Sequence, residues 1–91
     1  MAAVGGDLQT LRNLYKKFVD AANQTNQLST SVTSALHSTV WTGPNSVKFK
    51  SEWDQFRKTL AQIQQALIDG SNDVKNQHNN IAAATGAVDR I

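Results

Sequence analysis

Trp41-Thr42-Gly43-Pro44-Asn45 lies near the middle of a chain of 91 residues and contains its only proline. Gly43, as a glycine, can adopt at little cost the left-handed backbone conformation that ends many helices. Pro44 suits the first position of a helix, where no backbone N–H is needed and φ is preset. The segment therefore predicts a turn over residues 41–44, in which Gly43 ends one helix and Pro44 begins the next.

Before this turn, apolar or small side chains recur at steps of three or four residues. The stripe consists of Leu8, Leu11, Tyr15, Phe18, Ala22, Thr25, Leu28, Val32, Leu36 and Thr39. Such spacing is typical of one face of an α-helix. Asp7 directly precedes the stripe, where a carboxylate accepts hydrogen bonds from the free N–H groups of a first helical turn. We predict helix one over about 7–40.

After the turn, a second stripe alternates steps of four and three residues, as in a coiled-coil seam. It consists of Phe49, Trp53, Phe56, Leu60, Ile63, Leu67, Gly70, Val74, Gln77, Ile81, Ala84 and Val88. We predict helix two over about 45–85 and a flexible tail over 86–91. The whole chain, 1–91, is then a single all-α domain, an antiparallel two-helix hairpin.

Five further apolar residues lie beside or off the two stripes: Leu14, Val19, Val40, Val47 and Ile68. A lone pair of helices has no second surface on which to bury them, and a chain without cysteine has no disulfide to stabilise it. We therefore expect two hairpins to associate into a four-helix bundle. The residues predicted to pack within and between hairpins are Leu11, Tyr15, Phe18, Val32, Leu36, Phe49, Trp53, Phe56, Leu60, Ile63, Leu67, Val74 and Ile81.

Composition and charge argue against several functions. The net charge is only +2, and acidic residues interrupt the short basic pairs at 16–17 and 57–58, so we expect no nucleic-acid partner. Apolar runs are far shorter than the roughly 18 residues of a membrane span. His37 and His78 have no third ligand patterned around them, and we expect both to be plain surface or interface residues. Residues 69–73 resemble a calcium loop only superficially, because Val74 stands where that loop needs glycine. We expect no catalytic residue, metal or cofactor.

Trp41-Thr42-Gly43 at the bend of a helical hairpin, in a short chain without cysteine, resembles the WXG family. These are the early-secreted-antigen-like substrates of bacterial type VII secretion. Phe49 follows Trp41 at a spacing that the family usually fills with Phe, whereas Asn45 replaces a residue that is usually small. The resemblance implies a non-enzymatic protein that acts by protein–protein binding. It also implies that Trp41, Thr42 and Gly43 form a recognition motif at the bend.

The resemblance further implies export by a leaderless route, from the cytoplasm, as a folded dimer of two copies or with a second WXG-type hairpin. The type VII secretion ATPase is the implied partner in export. The family's export signal is a Tyr followed four residues later by Asp or Glu, and Ile81 and Thr85 occupy the nearest positions here. This departure favours a partner that carries the signal, with Val88 and Ile91 as possible apolar contacts of this chain. A structural adaptor, or a targeting hairpin for a toxin or effector, is the alternative.

Overall fold

Two long helices account for most of the chain. The structure is a computed structural model that describes residues 7–91. Helix α1 runs over Leu8–Ser38 and helix α2 over Pro44–Thr85, and the two pack against each other. The described molecule measures 63 × 18 × 15 Å. The all-α hairpin predicted from the two stripes is therefore confirmed. Neither helix contains a segment apolar enough, over sufficient length, to cross a membrane.

Helix α1 begins where the sequence predicts and ends earlier. The Asp7 carboxylate accepts a hydrogen bond from the backbone N–H of Thr10 at 3.3 Å, which caps the first turn. The last helical residue is Ser38, whose hydroxyl donates to the carbonyl of Ser34 at 3.0 Å. Such local bonds compete with the helix, and the β-branched Thr39 that follows is extended.

Gly43 caps the start of α2, and the prediction that it ends helix one is wrong. Its φ of 105° is positive, and its carbonyl accepts the N–H of Val47 at 3.2 Å. Pro44 is at the start of α2, as predicted. At the other end of α2, Gly86 is left-handed, with a φ of 76°. The N–H of Ala87 donates to the carbonyl of Ala82 at 2.9 Å, which satisfies a free helix carbonyl.

The face that α2 turns toward α1 differs from the predicted stripe. The predicted stripe and the observed face have one line of residues in common, spaced seven apart in the chain. These are Trp53, Leu60, Leu67, Val74 and Ile81, and all are buried or half-buried. Between them, α2 turns Gln64, Ser71 and His78 inward, whereas Phe49, Phe56 and Ile63 are exposed. The seam between the helices therefore alternates apolar residues with polar ones, and it leaves the other apolar members of the stripe uncovered.

The best-packed part of the hairpin lies at its open end, away from the bend. Leu11, Val74 and Ile81 are buried together there, and Leu8, Tyr15 and Phe18 pack against them. At Gly70, an added Cβ would meet the ring of Phe18 at 3.1 Å. The absence of a side chain at Gly70 therefore lets Phe18 lie directly over α2, the close approach that a glycine within a helix permits.

Candidate interaction face

The bend is held by the backbone of Trp41 as well as by its ring. The carbonyl of Trp41 accepts hydrogen bonds from the hydroxyl of Ser46 at 2.7 Å and the ammonium of Lys50 at 3.3 Å. The Trp41 ring lies 5.6 Å from that of Phe49 and remains 38% exposed. Thr42 and Gly43 are exposed. The bend therefore presents an aromatic surface that the hairpin alone does not cover.

A row of aromatic side chains continues from the bend along α2. The ring centroids of Phe49 and Trp53 are 6.5 Å apart, and those of Trp53 and Phe56 are 5.9 Å apart, both pairs nearly parallel. The Trp53 indole N–H donates to the hydroxyl of Thr33 at 3.1 Å, which ties the row to α1. Mutual stacking restricts the rotamers of these rings, so the row is a preformed surface.

Five of the exposed large apolar side chains occupy equivalent positions on the two helices. On α2, Phe49 is 40% exposed, Phe56 49% and Ile63 45%. On α1, Leu14 and Leu28 are also exposed. These five residues are called the apolar face below. Within each helix they recur at multiples of seven residues, which places them along one line of the helix surface.

The two lines lie on the same side of the hairpin. On both helices, each residue of the apolar face comes three residues after one seam residue and four before the next. On α1, for example, the exposed Leu14 comes three residues after the seam residue Leu11 and four before the seam residue Phe18. On α2 the equivalent residues are Trp53, Phe56 and Leu60. Antiparallel helices that pack through equivalent seams are related by an approximate two-fold axis perpendicular to their common plane. Equivalent positions on the two helices therefore emerge on the same side.

The contact of Phe18 with Gly70 supports this arrangement. Gly70 extends the series of Phe49, Phe56 and Ile63 by seven residues, and the Phe18 ring lies over it. The opposite side of the hairpin holds residues that directly follow seam positions, and its character is mixed. It carries the charged Arg12, Asp54 and Lys75 together with Val47 and Ile68. Phe49, Phe56 and Ile63 thus lie on the same side as Leu14 and Leu28, opposite these charged residues.

The predicted packing residues fall into three groups. Leu11, Leu60, Val74 and Ile81 are buried. Tyr15, Phe18, Val32, Leu36, Trp53 and Leu67 are half-buried, and Phe49, Phe56 and Ile63 are exposed. The structure therefore assigns the first group and parts of the second to the hairpin itself. The third group is left for contacts that the hairpin does not make.

The residues proposed for an export tail do not form one surface. Ile81 is buried in the core, whereas Thr85 is exposed and donates its hydroxyl proton to the carbonyl of Ile81 at 2.9 Å. Val88 is 96% exposed. Ile91 is half-buried and hydrogen-bonded to Asn79, although the sequence predicts flexibility there. Only Thr85 and Val88 are open to a partner in this conformation.

Sequence reasoning missed a polar cluster at the open end of the hairpin. His78 is fully buried, and beside it lie Asn79, Asp89 and Arg12. The sequence carries no signal for this burial, because Gln64, Ser71 and His78 are polar residues at steps of seven, the pattern of a solvated face. The expectation of a plain surface residue at His78 is therefore wrong. The contact between residues 12 and 89 joins distant parts of the chain and leaves no local pattern.

The described residues contain little that resembles a metal centre. Within residues 7–91, no three side chains of His, Cys, Asp or Glu are grouped so that they could hold a metal ion. The segment 69–73, which resembles a calcium loop in sequence, is a regular part of α2. Comparisons with protein-family models, with curated proteins and with solved structures found no significant match. The exposed apolar face is the candidate interaction surface of the described residues.

Proposed function

We propose that this chain is a non-enzymatic, WXG-type helical hairpin of the type VII secretion pathway, which acts by protein–protein binding. In this proposal it leaves the cytoplasm as a folded dimer, either with itself or with a second hairpin of the same type. Trp41-Thr42-Gly43 forms the recognition motif at the bend. The hairpin fold and the position of the Trp-x-Gly triplet between the helices support the proposal.

The observation that carries the proposal is the apolar face. Soluble monomers seldom leave a continuous row of large apolar side chains in water, and such rows mark surfaces that bind other proteins. The heptad spacing of Phe49, Phe56 and Ile63 suits another helix in particular, because side chains at this spacing insert between those of a facing helix. A second hairpin, with its own apolar face, is the partner that covers both sides symmetrically.

The resulting assembly is a four-helix bundle in which the apolar faces of two hairpins meet. Each hairpin keeps its own seam, with Leu60 and Val74 buried as in the single chain. The exposed halves of Phe49, Phe56 and Ile63 then become the inner layer between hairpins. Trp41, at the end of the aromatic row, lies at the rim of this layer, where it is accessible to the secretion ATPase.

The proposal is tested in two steps, the first of which needs only the purified chain. Light scattering over a range of concentrations distinguishes a dimer of about twice the 9.9 kDa chain mass from a monomer. If the chain is a monomer at every concentration, only the heterodimer form of the proposal remains. The second step therefore adds candidate hairpins that are encoded beside this chain. A stable complex supports the proposal, and failure to bind itself or any of them contradicts it.

Export is tested in a cell competent for type VII secretion, with the chain expressed alone and with its neighbouring hairpins. The proposal predicts this protein in the culture medium only when a functional secretion ATPase is present. Export that requires a second hairpin identifies that hairpin as the carrier of the signal. Absence from the medium in every combination contradicts the secretion part of the proposal while leaving dimerisation intact.

A further inference from the structure

Residues 87–91, called the strap below, leave helix α2 and fold back onto the open end of the hairpin. The N–H of Ile91 donates to the side-chain oxygen of Asn79 at 2.9 Å, and the Asn79 amide donates to the main-chain oxygen of Ile91 at 3.4 Å. The Arg12 guanidinium pairs with Oδ1 of Asp89. The strap is thus held by α1 through Arg12 and by α2 through Asn79.

These contacts are of the kind that a peptide-binding groove makes. The Asn79 side chain bonds only main-chain atoms of Ile91, so these two bonds do not depend on the side chain there. Side chains contact the helices at alternate positions: Asp89 pairs with Arg12 and Ile91 is half-buried, whereas Val88 between α2 and Asp89 is 96% exposed. Main-chain hydrogen bonds combined with side-chain contacts at every second residue are a common form of peptide recognition.

The floor of this groove contains a buried polar atom without a hydrogen-bond partner. His78 is 0% exposed, and its Nδ1 is 3.0 Å from the side-chain oxygen of Asn79. That oxygen accepts the N–H of Ile91, so Nδ1 donates to it and carries the proton of an imidazole with one proton. Nε2 is then a lone-pair acceptor, and it is the one buried side-chain nitrogen or oxygen of residues 7–91 without a partner.

The strap does not satisfy this nitrogen. Oδ2 of Asp89 lies 3.6 Å from Nε2 of His78, beyond hydrogen-bond distance, and a carboxylate has no proton to donate. A carboxamide in the same place would satisfy both neighbours, because its oxygen accepts from Arg12 and its nitrogen donates to Nε2 after a shift of about 0.5 Å. A buried acceptor without a donor is costly, whereas a partly exposed ion pair contributes little. Asp89 is therefore an imperfect occupant of this position.

We propose that the open end of the hairpin is a binding groove for a non-helical peptide segment of a partner protein, with asparagine two residues before an aliphatic residue. The asparagine takes the place of Asp89 between Arg12 and His78, and the aliphatic side chain takes the place of Ile91. The strap occupies the groove while the partner is absent. The groove uses no residue of the apolar face, so the inference relies on neither dimerisation nor export.

The first test measures hydrogen exchange of the Ile91 amide by NMR in the intact chain at about pH 7.5, where an imidazole ordinarily carries one proton. Asp89→Asn keeps the shape of the side chain and supplies the missing donor, so the protection factor of Ile91 should rise about threefold to tenfold. Asp89→Ala supplies no donor and should not raise it. A protection factor in Asp89→Asn that is no higher than in the wild type or in Asp89→Ala overturns the proposal.

The second test measures binding by fluorescence anisotropy of two labelled peptides, Ala-Val-Asn-Arg-Ile and Ala-Val-Asp-Arg-Ile. They are added to the intact Asp89→Ala chain, whose own strap has lost its ion pair with Arg12. The asparagine peptide should bind about threefold to tenfold more tightly than the aspartate peptide. Failure of both peptides to bind overturns the proposal. Equal or tighter binding of the aspartate peptide also overturns it, because the strap of a second copy would then be the better occupant.

Asn79→Ala, made in the Asp89→Ala chain, tests the main-chain contacts. Binding of the asparagine peptide should weaken about tenfold or more, because both hydrogen bonds of the Asn79 side chain are lost. Asn80→Ala in the same chain is the matched control, since Asn80 is the adjacent asparagine and is exposed. It should leave binding unchanged, and circular dichroism should show both variants to be helical. Equal effects of the two substitutions contradict the assignment of the groove.

The ring of His78 supplies an independent measurement that needs no substitution at this buried position. Proton–nitrogen correlation spectra at about pH 7.5 distinguish a ring nitrogen that carries a proton from one that does not. Nδ1 should carry the proton in the wild type, and the Nε2 resonance should move in Asp89→Asn, when it accepts a hydrogen bond. A proton on Nε2 in the wild type, or an Nε2 resonance that Asp89→Asn does not move, overturns the proposal.

Discussion

Replacement of Phe56 and Ile63 together by serine should dissociate the dimer proposed above. Each side chain is close to half exposed in the hairpin. Full burial of a large apolar side chain contributes about 1.5 to 3 kcal/mol, so covering the exposed half contributes about 1 kcal/mol. Two side chains on each of two copies give about 4 kcal/mol in a symmetric dimer. The dissociation constant should therefore rise about a thousandfold.

Sedimentation equilibrium over a range of concentrations measures this change directly. Circular dichroism shows whether the variant remains helical, as expected, since neither residue belongs to the buried seam. The matched control is Val47→Ser with Ile68→Ser, which removes two exposed apolar side chains from the opposite side of the hairpin. This control should change the dissociation constant less than tenfold. A dimer unaffected by the first pair, or lost with the second, would refute the assignment of the apolar face.

Three substitutions test the hairpin itself, in the monomeric background of the double variant. Trp41→Ala should lower the free energy of unfolding by about 1 to 2 kcal/mol, less than truncation of a fully buried aromatic residue, because over a third of Trp41 is exposed. Thermal unfolding measures this loss, and a loss near 4 kcal/mol would show deeper burial. Gly43→Ala should lower the free energy of unfolding in urea by about 1 to 2 kcal/mol, because a φ of 105° is strained for any residue with a Cβ. An unchanged urea midpoint would show that this position does not require a positive φ. Leu60→Ala should cost about 2 to 3 kcal/mol by the same method, as a buried seam residue; a cost below 1 kcal/mol would place Leu60 outside the core.

Local signals in the sequence predict the starts of both helices correctly, since capping depends on neighbouring residues. Asp7 accepts the N–H of Thr10, and Pro44 opens α2. The end of α1 was predicted less well, because residues 39 and 40 continue the helical spacing although their backbone is extended or irregular. Spacing alone does not distinguish a helix that continues from one that has just ended. The contacts of Asp89 with Arg12 and of Ile91 with Asn79 were also missed, because they join residues far apart in the chain.

The sequence by itself determined that the chain forms two amphipathic helices joined near residue 43, because periodicity and capping are local properties. Only the tertiary structure decided which face of α2 meets α1. Trp53, Leu60, Leu67, Val74 and Ile81 belong to two overlapping stripes whose centres differ by a rotation of roughly 50° about the helix axis. One stripe adds bulky Phe49 and Phe56, and the other adds polar residues such as Gln64 and Ser71. The buried serines satisfy their hydroxyls on nearby carbonyls, Trp41 for Ser46 and Ile68 for Ser71. Because Ser46 and Ser71 are small and internally satisfied, they allow the helices to approach closely, and Phe49 and Phe56 are left outside while Trp53 stays half-buried in the seam.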